Sequence, residues 1–342
     1  MSDGVGTMTD KEHELFMKTL QKEFEDTQFM TGEELELPAG NSTGSLTLDI
    51  NLHVPIYCGS IVEIYSNAGA GKTTLVLSIL AEAAKCGKRI LFLNQERRLQ
   101  ATLLESFSIL REPGVLELIT APTGEDALRI AELFVLQYPG AVVGIDSVDS
   151  LLPEQTEKKA LGATDVGTLP KLMSQGCRKI QAAVAKTSST VIFINQLRSK
   201  IGVMFGNPDI TSGGRALPYY ASQRIELMDI TKDTRIKDGE GNIIGHKVRF
   251  KIIKNSVAPP FVNGSFPLIY GKGIDKATEL CDLAVDLGIL VKDGKRILVT
   301  GNNGKNVKKH PKEVAAMLRA DPIFYREVLG EIKDLYPETF GE

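Results

Sequence analysis

Acidic residues are missing from one long stretch of this 342-residue chain: no Asp or Glu occurs between Val166 and Pro208. Lys171, Arg178, Lys179, Lys186, Arg198 and Lys200 all fall there, so the stretch is basic although the whole chain carries −3. That net charge excludes a uniformly basic nucleic-acid binder but not one whose charge is segregated. Residues 1–40 hold ten acids against three lysines, net −7, which leaves +4 for the remainder. A second basic run lies at Lys305, Lys308, Lys309, His310 and Lys312. Long apolar runs are lacking too: none approaches the roughly 18 residues of a membrane span. With no signal-peptide pattern at the N-terminus, a cytoplasmic protein is expected. Cys58, Cys86, Cys177 and Cys281 are scattered, as are His13, His53, His246 and His310. Neither set has ligand spacing, so a metal cage built on them is not expected and reduced cysteines are.

What is present alternates between strand and helix patterns, the order expected of a parallel, wound α/β sheet. Residues 10–26 place Phe16, Leu20 and Phe24 at i, i+4 and i+8 with Met17 alongside, one apolar stripe on a charged helix. A lone helix of that length is marginal in water, so it must pack on its own core or on a neighbouring subunit. After the turns of Ala39–Gly44 comes IVEIYS (Ile61–Ser66), an apolar strand, then NAGAGKTT and a helix closed by Gly87. Strand, glycine-rich loop, Lys-Thr and helix together form a phosphate-binding context. Backbone N–H groups of Ser66, Asn67, Ala68, Gly69, Ala70, Gly71, Lys72, Thr73 and Thr74 are placed to cradle phosphates at a helix N-terminus. Lys72 supplies a charge to the β- and γ-phosphates of ATP and Thr73 a hydroxyl to Mg²⁺. The first glycine of GxxxxGK[ST] is Ser66 here.

KRILFLNQE (Lys88–Glu96) reads as a second strand ending in an acid. Strand C-terminal ends face the ligand crevice in such sheets, so Glu96 is either a base for the attacking water or an exposed acid at a helix start. AVVGIDSVDSLLP (Ala141–Pro153) places Asp146 at the edge of a third apolar run, the expected partner for Mg²⁺ and its waters; Asp149 is the rival, and Asp146 is preferred. TVIFIN (Thr190–Asn195) is a further buried strand leading into Asn195–Ser222, a segment far longer than the usual 4–6-residue connection. A functional or mobile loop is one reading of that length, and a disordered surface insertion the other. The residues after Asp275 suggest a small helix-rich α+β domain with Leu280, Leu283, Ala284 and Leu287 on its first apolar face.

The run INQLRSKIGVMFGNPDITSGGRALPYYAS (Ile194–Ser222) closely resembles the second DNA-binding loop of bacterial RecA recombinases, from either a bacterial or a phage source. The resemblance extends to TGSLTLDI (Thr43–Ile50), IDSV around Asp146, MSQGCRKI (Met173–Ile180), VRFKIIKN (Val248–Asn255) and LIYGKGID (Leu268–Asp275). It implies a P-loop ATPase core over residues 41–275, an N-terminal helix module for oligomerisation over 1–40 and a small C-terminal domain over 276–342. It also implies a DNA-dependent ATPase that forms a helical filament on single-stranded DNA, pairs it with duplex DNA and exchanges strands, with ATP and Mg²⁺ as cofactors.

Position by position, the resemblance makes Lys72, Thr73 and Asp146 the phosphate and Mg²⁺ contacts, and Glu96 the acid that activates water. Gln196 becomes the γ-phosphate sensor, Lys254 the lysine that reaches a neighbouring subunit's ATP, and Tyr270 with Gly271 adenine-side contacts. Gly167, Lys171, Ser174 and Arg178 fall on DNA-contacting positions in or after a first loop. Arg198, Lys200, Ile201, Gly202, Val203, Met204, Phe205 and Gly206 fall on those of the second, with Gly213, Gly214 and Arg215. The residues suit that role. Cationic side chains neutralise phosphates irrespective of sequence, and Ile201 and Phe205 are suited to wedge against spread bases. Departures from the family pattern are Ser66, Leu103 for an aromatic over adenine, Val166 for Met, Lys171 for Arg, Pro218 for Lys, Ser256 for an interface Lys, and no long acidic tail. Competing readings are a RecA-fold regulatory ATPase or hexameric helicase motor, and a DNA-binding homologue without catalysis.

Overall fold

The computed structural model describes residues 9–24, 36–159, 167–199, 209–300 and 306–341. The chain divides into two compact units, Met1–Leu37 and Pro38–Glu342. In the first, helix α1 (Asp10–Glu23) opens on a capping box. The Thr9 hydroxyl accepts from the Glu12 N–H, and the Glu12 carboxylate accepts from the Thr9 N–H at 2.9 Å. Phe16 and Phe24 of its apolar stripe remain about half exposed, at 49% and 51%.

The second unit is built on one eleven-stranded sheet. Its strands are β1 (Ser60–Ser66), β2 (Ile90–Asn94), β3 (Leu116–Ile119), β4 (Val142–Asp146), β5 (Thr190–Ser199), β6 (Asp209–Thr211), β7 (Gln223–Leu227), β8 (Arg235–Lys237), β9 (Ile243–Asn255), β10 (Asn263–Ile269) and β11 (Gly273–Ile274). The order is β11-β10-β9-β7-β1-β5-β4-β2-β3, with β8 beside β9 and β6 beside β5. From β3 through β7 the pairing is parallel; beyond β7 it turns antiparallel. β1 is buried along its whole length because parallel neighbours flank it and helices cover both faces, which is why it reads as a nearly continuous apolar run.

Helices α2 (Leu46–Leu52) and α3 (Lys72–Lys85) lie on one face of the sheet and α4 (Gly124–Gln137) and α5 (Thr168–Thr187) on the other. Leu75, Ile79 and Leu80 of α3 meet Phe92, Phe250 and Phe266 in the first core layer. Truncating one of these buried leucines or isoleucines to Ala costs about 2–5 kcal/mol, through lost transfer energy and a residual cavity. On the opposite face Leu128 and Ala131 pack with Met173, Cys177 and Ile180. Burial pushes the Cys177 thiol up to about 12, which makes it an inert core group.

A third cluster gathers α6 (Lys276–Asp286), α7 (Pro311–Ala320) and α8 (Pro322–Leu335) on a small antiparallel sheet of Lys292–Asp293, Arg296–Thr300 and Asn306–Lys309. The expected face is there: Leu280 and Ala284 are buried, and Leu283 and Leu287 pack beside them. Leu46 and Ile50 of α2 pack against the same cluster. Ser45 caps α2 by accepting from the Leu48 N–H at 3.2 Å and donates its own hydroxyl to Glu279 at 2.5 Å. The Thr47 N–H, one of the unpaired donors at that helix start, also goes to Glu279 at 3.0 Å.

Two boundaries differ from the sequence reading. The strand of TVIFIN continues to Ser199, because β6 returns antiparallel and pairs Leu197 with Thr211 and Arg198 with Ile210. The long segment after Asn195 is therefore stemmed by a hairpin, and Ala216–Tyr220 within it is a short helix. Gln95 and Glu96 fall just past the end of β2 rather than on it.

Candidate functional site

The C-terminal ends of β1, β2, β4 and β5 converge on the start of α3. The N–H of Leu75 makes the first helical bond, to the Gly71 carbonyl at 2.9 Å, so the N–H groups of Lys72, Thr73 and Thr74 are not spent within the helix. Gly71 is left-handed, φ +101°, and a Cβ there would lie 3.2 Å from Leu268; both conformation and space select glycine. Ser66 needs no such freedom, since its φ is not positive. Its hydroxyl donates to the Asn67 carbonyl at 2.6 Å and accepts from Lys72 Nζ at 3.0 Å. The Lys72 ammonium also reaches the Asn67 carbonyl at 2.8 Å. Asn67 in turn donates to Asp229 at 3.0 Å, tying the loop to the end of β7.

Lys72 and Asp146 are both buried, and Thr73 Oγ1 donates to Asp146 Oδ2 at 2.7 Å. Burial, reinforced by the negative charge of Glu96, pushes the Asp146 carboxyl up to about 6 against the opposing pull of Thr73 and Lys72. Burial lowers Lys72, opposed by Asp146, Glu96 and Asp149. The hydroxyl and carboxylate make an all-oxygen donor pair at the phosphate end of the loop, the kind that suits Mg²⁺ shared with a nucleotide. Among the described residues no group of three or more His, Cys, Asp or Glu side chains makes a metal cage by itself.

Glu96 is held from two sides. Its Oε1 accepts from Ser147 Oγ at 2.9 Å and from Gln196 Nε2 at 2.8 Å. Its Oε2 lies 3.9 Å from Arg98, and the Glu96 N–H donates to the Asp146 carbonyl at 2.9 Å. Glu96 thus lies in the crevice with its side chain 18% exposed, and not at a helix start. The ring of Tyr270, half exposed, lies tilted by 47° against that of His246, centroids 5.7 Å apart, and His246 Nε2 lies 3.5 Å from the Ala70 carbonyl. Gly271 lines a cavity of about 300 Å³ with Arg98, Gln100, Thr102 and Leu103. Lys254 donates to the carbonyls of Pro218 and Tyr219 at 3.2 and 2.8 Å; burial and the nearby Arg224 lower its pKa.

The basic elements flank this crevice. Gly167, φ +81°, opens α5, and Lys171, Ser174 and Arg178 are exposed at i, i+3 and i+7 along one face of it. Gly213 and Gly214 are both left-handed, and a Cβ on Gly213 would lie 2.9 Å from Val148 and 3.0 Å from Met173. Arg215 is exposed at the start of the next helix. Lys200, Ile201, Gly202, Val203, Met204, Phe205 and Gly206 lie outside the described residues, as do Val166 and Lys305. Arg198 is the last basic side chain described before them.

Residues 11–275 match the model of the RecA N-terminal domain. The chain belongs to the RecA family. It is 40% identical over 292 residues to Protein RecA of Desulforapulum autotrophicum, covering 84% of this chain and 82% of that protein. It is 37% identical over 328 residues to Protein RecA of Chloroherpeton thalassium, covering 95% and 89%. Identity to Protein RecA of Porphyromonas gingivalis is 43% over 253 residues, covering 74% and 73%. Like the RecA family as a whole, the chain is a DNA-dependent ATPase of homologous recombination and repair. Among the described residues no helix is long and apolar enough to cross a membrane.

Several groups escaped the sequence reading. Glu63, fully buried in the middle of β1, accepts from Arg224 Nε at 2.5 Å and Asn195 Nδ2 at 2.8 Å. Asn195 also donates to the Ser212 carbonyl at 3.0 Å. The lone charge inside IVEIYS was the available signal, because a buried carboxylate requires partners. Ser147, Asp229 and His246 left no local mark.

Proposed function

We propose that this RecA-family chain couples ATP at the Ser66–Thr74 loop to DNA held along α5 and the β5–β6 stem, through Glu96 and Gln196. The carrying observation is the 2.8 Å bond from Gln196 Nε2 to Glu96 Oε1, which joins the water-activating acid to the strand that enters the second DNA loop. Lys72 and the free N–H groups at the start of α3 bind and orient the ATP phosphates, aided by the helix dipole. Thr73 and Asp146 would hold Mg²⁺; the ion supplies charge neutralisation at the phosphates. With Oε1 of Glu96 occupied by Ser147 and Gln196, Oε2 is the oxygen that accepts the proton of the attacking water. Gln196 stands where a bound γ-phosphate can draw its amide, and the displacement passes along β5 toward Arg198.

DNA binding is electrostatic and independent of sequence: Lys171, Arg178, Arg198, Lys200 and Arg215 neutralise phosphates, with Ser174 and the backbone at Gly167, Gly206, Gly213 and Gly214 approaching them closely. The apolar run from Ile201 to Phe205 stacks against bases. Lys254 faces a neighbouring protomer's ATP, Tyr270 and Gly271 border the adenine, and the stripe of α1 packs on the next subunit of a cytoplasmic filament. The same scheme assigns residues 1–40, 41–275 and 276–342 to oligomerisation, catalysis and an accessory domain. Two measurements test it together. ATP hydrolysis should rise on adding single-stranded DNA, and electron microscopy with a slowly hydrolysed ATP analogue should show helical filaments. Closed rings would favour a helicase-like motor, and hydrolysis indifferent to DNA would refute the coupling.

A further inference from the structure

Asp149 is a carboxylate the ATP site does not use. It lies in the turn Val148–Ser150, three residues past Asp146, and its side chain is 8% exposed. Its Oδ1 accepts from Arg198 Nε at 2.8 Å, Arg198 NH2 at 2.5 Å and Ser212 Oγ at 2.6 Å. Its Oδ2 is buried with no hydrogen-bond partner among the described residues. One acid thus holds both strands of the stem below the second loop, Arg198 on β5 and Ser212 just after β6. The surroundings belong to both DNA-facing segments. Val148 packs against Gly213, Pro170 lies against Gly214, and a cavity of about 450 Å³ extends from Asp149 to the Gly167–Pro170 turn.

Resting on the proposed DNA-binding function, we infer that Asp149 is an internal counter-ion that occupies Arg198 in place of a DNA phosphate and sets the threshold for binding DNA. The edge of a guanidinium formed by Nε and one terminal nitrogen is its fork for carboxylate or phosphate oxygens. Here both donors of that edge are spent on Asp149. A phosphate must displace the carboxylate before it can use them. The exchange is accessible, since the Arg198 side chain is 66% exposed. It carries a cost, since without Arg198 the buried Asp149 carboxylate keeps the Ser212 hydroxyl as its described partner, and that cost is the threshold. In the sequence, Arg198 stands in a stretch without acids; the fold brings one to it from 49 residues away. The two contacts on β5 act as a pair: Gln196 engages Glu96 and Arg198, two residues on, engages Asp149. A shift of β5 that draws Gln196 toward a nucleotide therefore also loosens Arg198, and DNA completes the release.

Asp149→Asn tests this with a fluorescein-labelled oligothymidylate, followed by anisotropy over a salt series with and without an ATP analogue. Without nucleotide, the variant is expected to bind about three- to tenfold more tightly than the parent. The log–log salt slope should steepen by about 0.7, the increment for one added phosphate contact on a single strand. The ATP-induced gain should shrink by the same factor. In an Arg198→Gln background the substitution should change neither affinity nor slope. Weaker binding by Asp149→Asn, an unchanged slope, or an effect that persists without Arg198 would overturn the inference. Asp149→Ser, which keeps a hydroxyl acceptor for Ser212, serves if the amide variant does not fold and carries the same expectations. Failure of the parent protein to bind the oligonucleotide at low salt would instead remove the proposed function, and this inference with it.

Discussion

Replacing Gln196 by Ala isolates the link between ATP and DNA. Among the described residues the side chain makes one hydrogen bond, at 2.8 Å to Glu96 Oε1, and Glu96 keeps its 2.9 Å bond from Ser147. Glu96, the proposed base, therefore stays positioned, and the Ser66–Thr74 loop is untouched, so ATP affinity in the absence of DNA should change little. A hydrogen bond to a charged group contributes about 1.5–3 kcal/mol, which bounds what this amide can transmit and corresponds to roughly 10- to 150-fold. Energies of that size are typical of coupling between two sites. We therefore expect the ATP-induced tightening on single-stranded DNA to fall by about 10- to 100-fold. By linkage, the DNA-induced tightening on ATP must fall by the same factor. Titrating labelled oligothymidylate with and without an ATP analogue, and labelled analogue with and without DNA, measures both ratios. A variant that retains the parent's ratio in either titration would refute the role given to Gln196.

Glu96→Gln keeps an oxygen for Ser147 and Gln196 but removes the carboxylate proposed as the base. Phosphate release should drop by about 10²–10⁴ while filaments on DNA persist in micrographs, and near-normal turnover would reassign the base. Ser66→Gly removes the hydroxyl between Lys72 and the Asn67 carbonyl and adds backbone freedom at a buried strand end. It should lower stability by about 1–2.5 kcal/mol, read as a lower urea midpoint, yet still bind nucleotide. Asp275→Asn addresses pH. Burial pushes the Asp275 carboxyl up, but hydrogen bonds from Arg319 and Thr278 outweigh it and hold the group below its ordinary value. A depressed acid contributes stability above its unfolded pKa of about 3.9 and loses it as pH falls through the folded value. The variant should thus be less stable by about 0.5–1 kcal/mol at pH 6–8, with the gap closing below about pH 4. A gap independent of pH would place the effect in packing instead.

The parts of the site that could be read in the sequence are those whose geometry is local. Ser60–Lys85 is strand, loop and helix in one continuous stretch, and Asp146 stands at the end of its own strand. The stretch proposed to face DNA is marked in the sequence by an absence of acid over 166–208. What could not be read depends on pairings across the sheet. Glu63 and Arg224 are 161 residues apart and meet only because β1 and β7 are neighbours. Asp149 looked like a rival to Asp146 for the metal; the turn after β4 points it instead at the β5–β6 stem. The length of β5 was set by its partner β6, which no periodicity within Thr190–Ser199 announces.

Glu279 has a consequence for the chain while it is being made. The carboxylate that receives the Ser45 hydroxyl and the Thr47 N–H comes from a residue 234 positions after that serine. At synthesis rates of about 5–20 residues per second, roughly ten to fifty seconds separate the emergence of the two. For that interval the acid that secures the first turn of α2 is missing. A nascent chain stalled before Glu279 would leave that helix start open to solvent, and with it the apolar side of Leu46 and Ile50. Such a chain offers chaperones and proteases a handle that closes once α6 has been added.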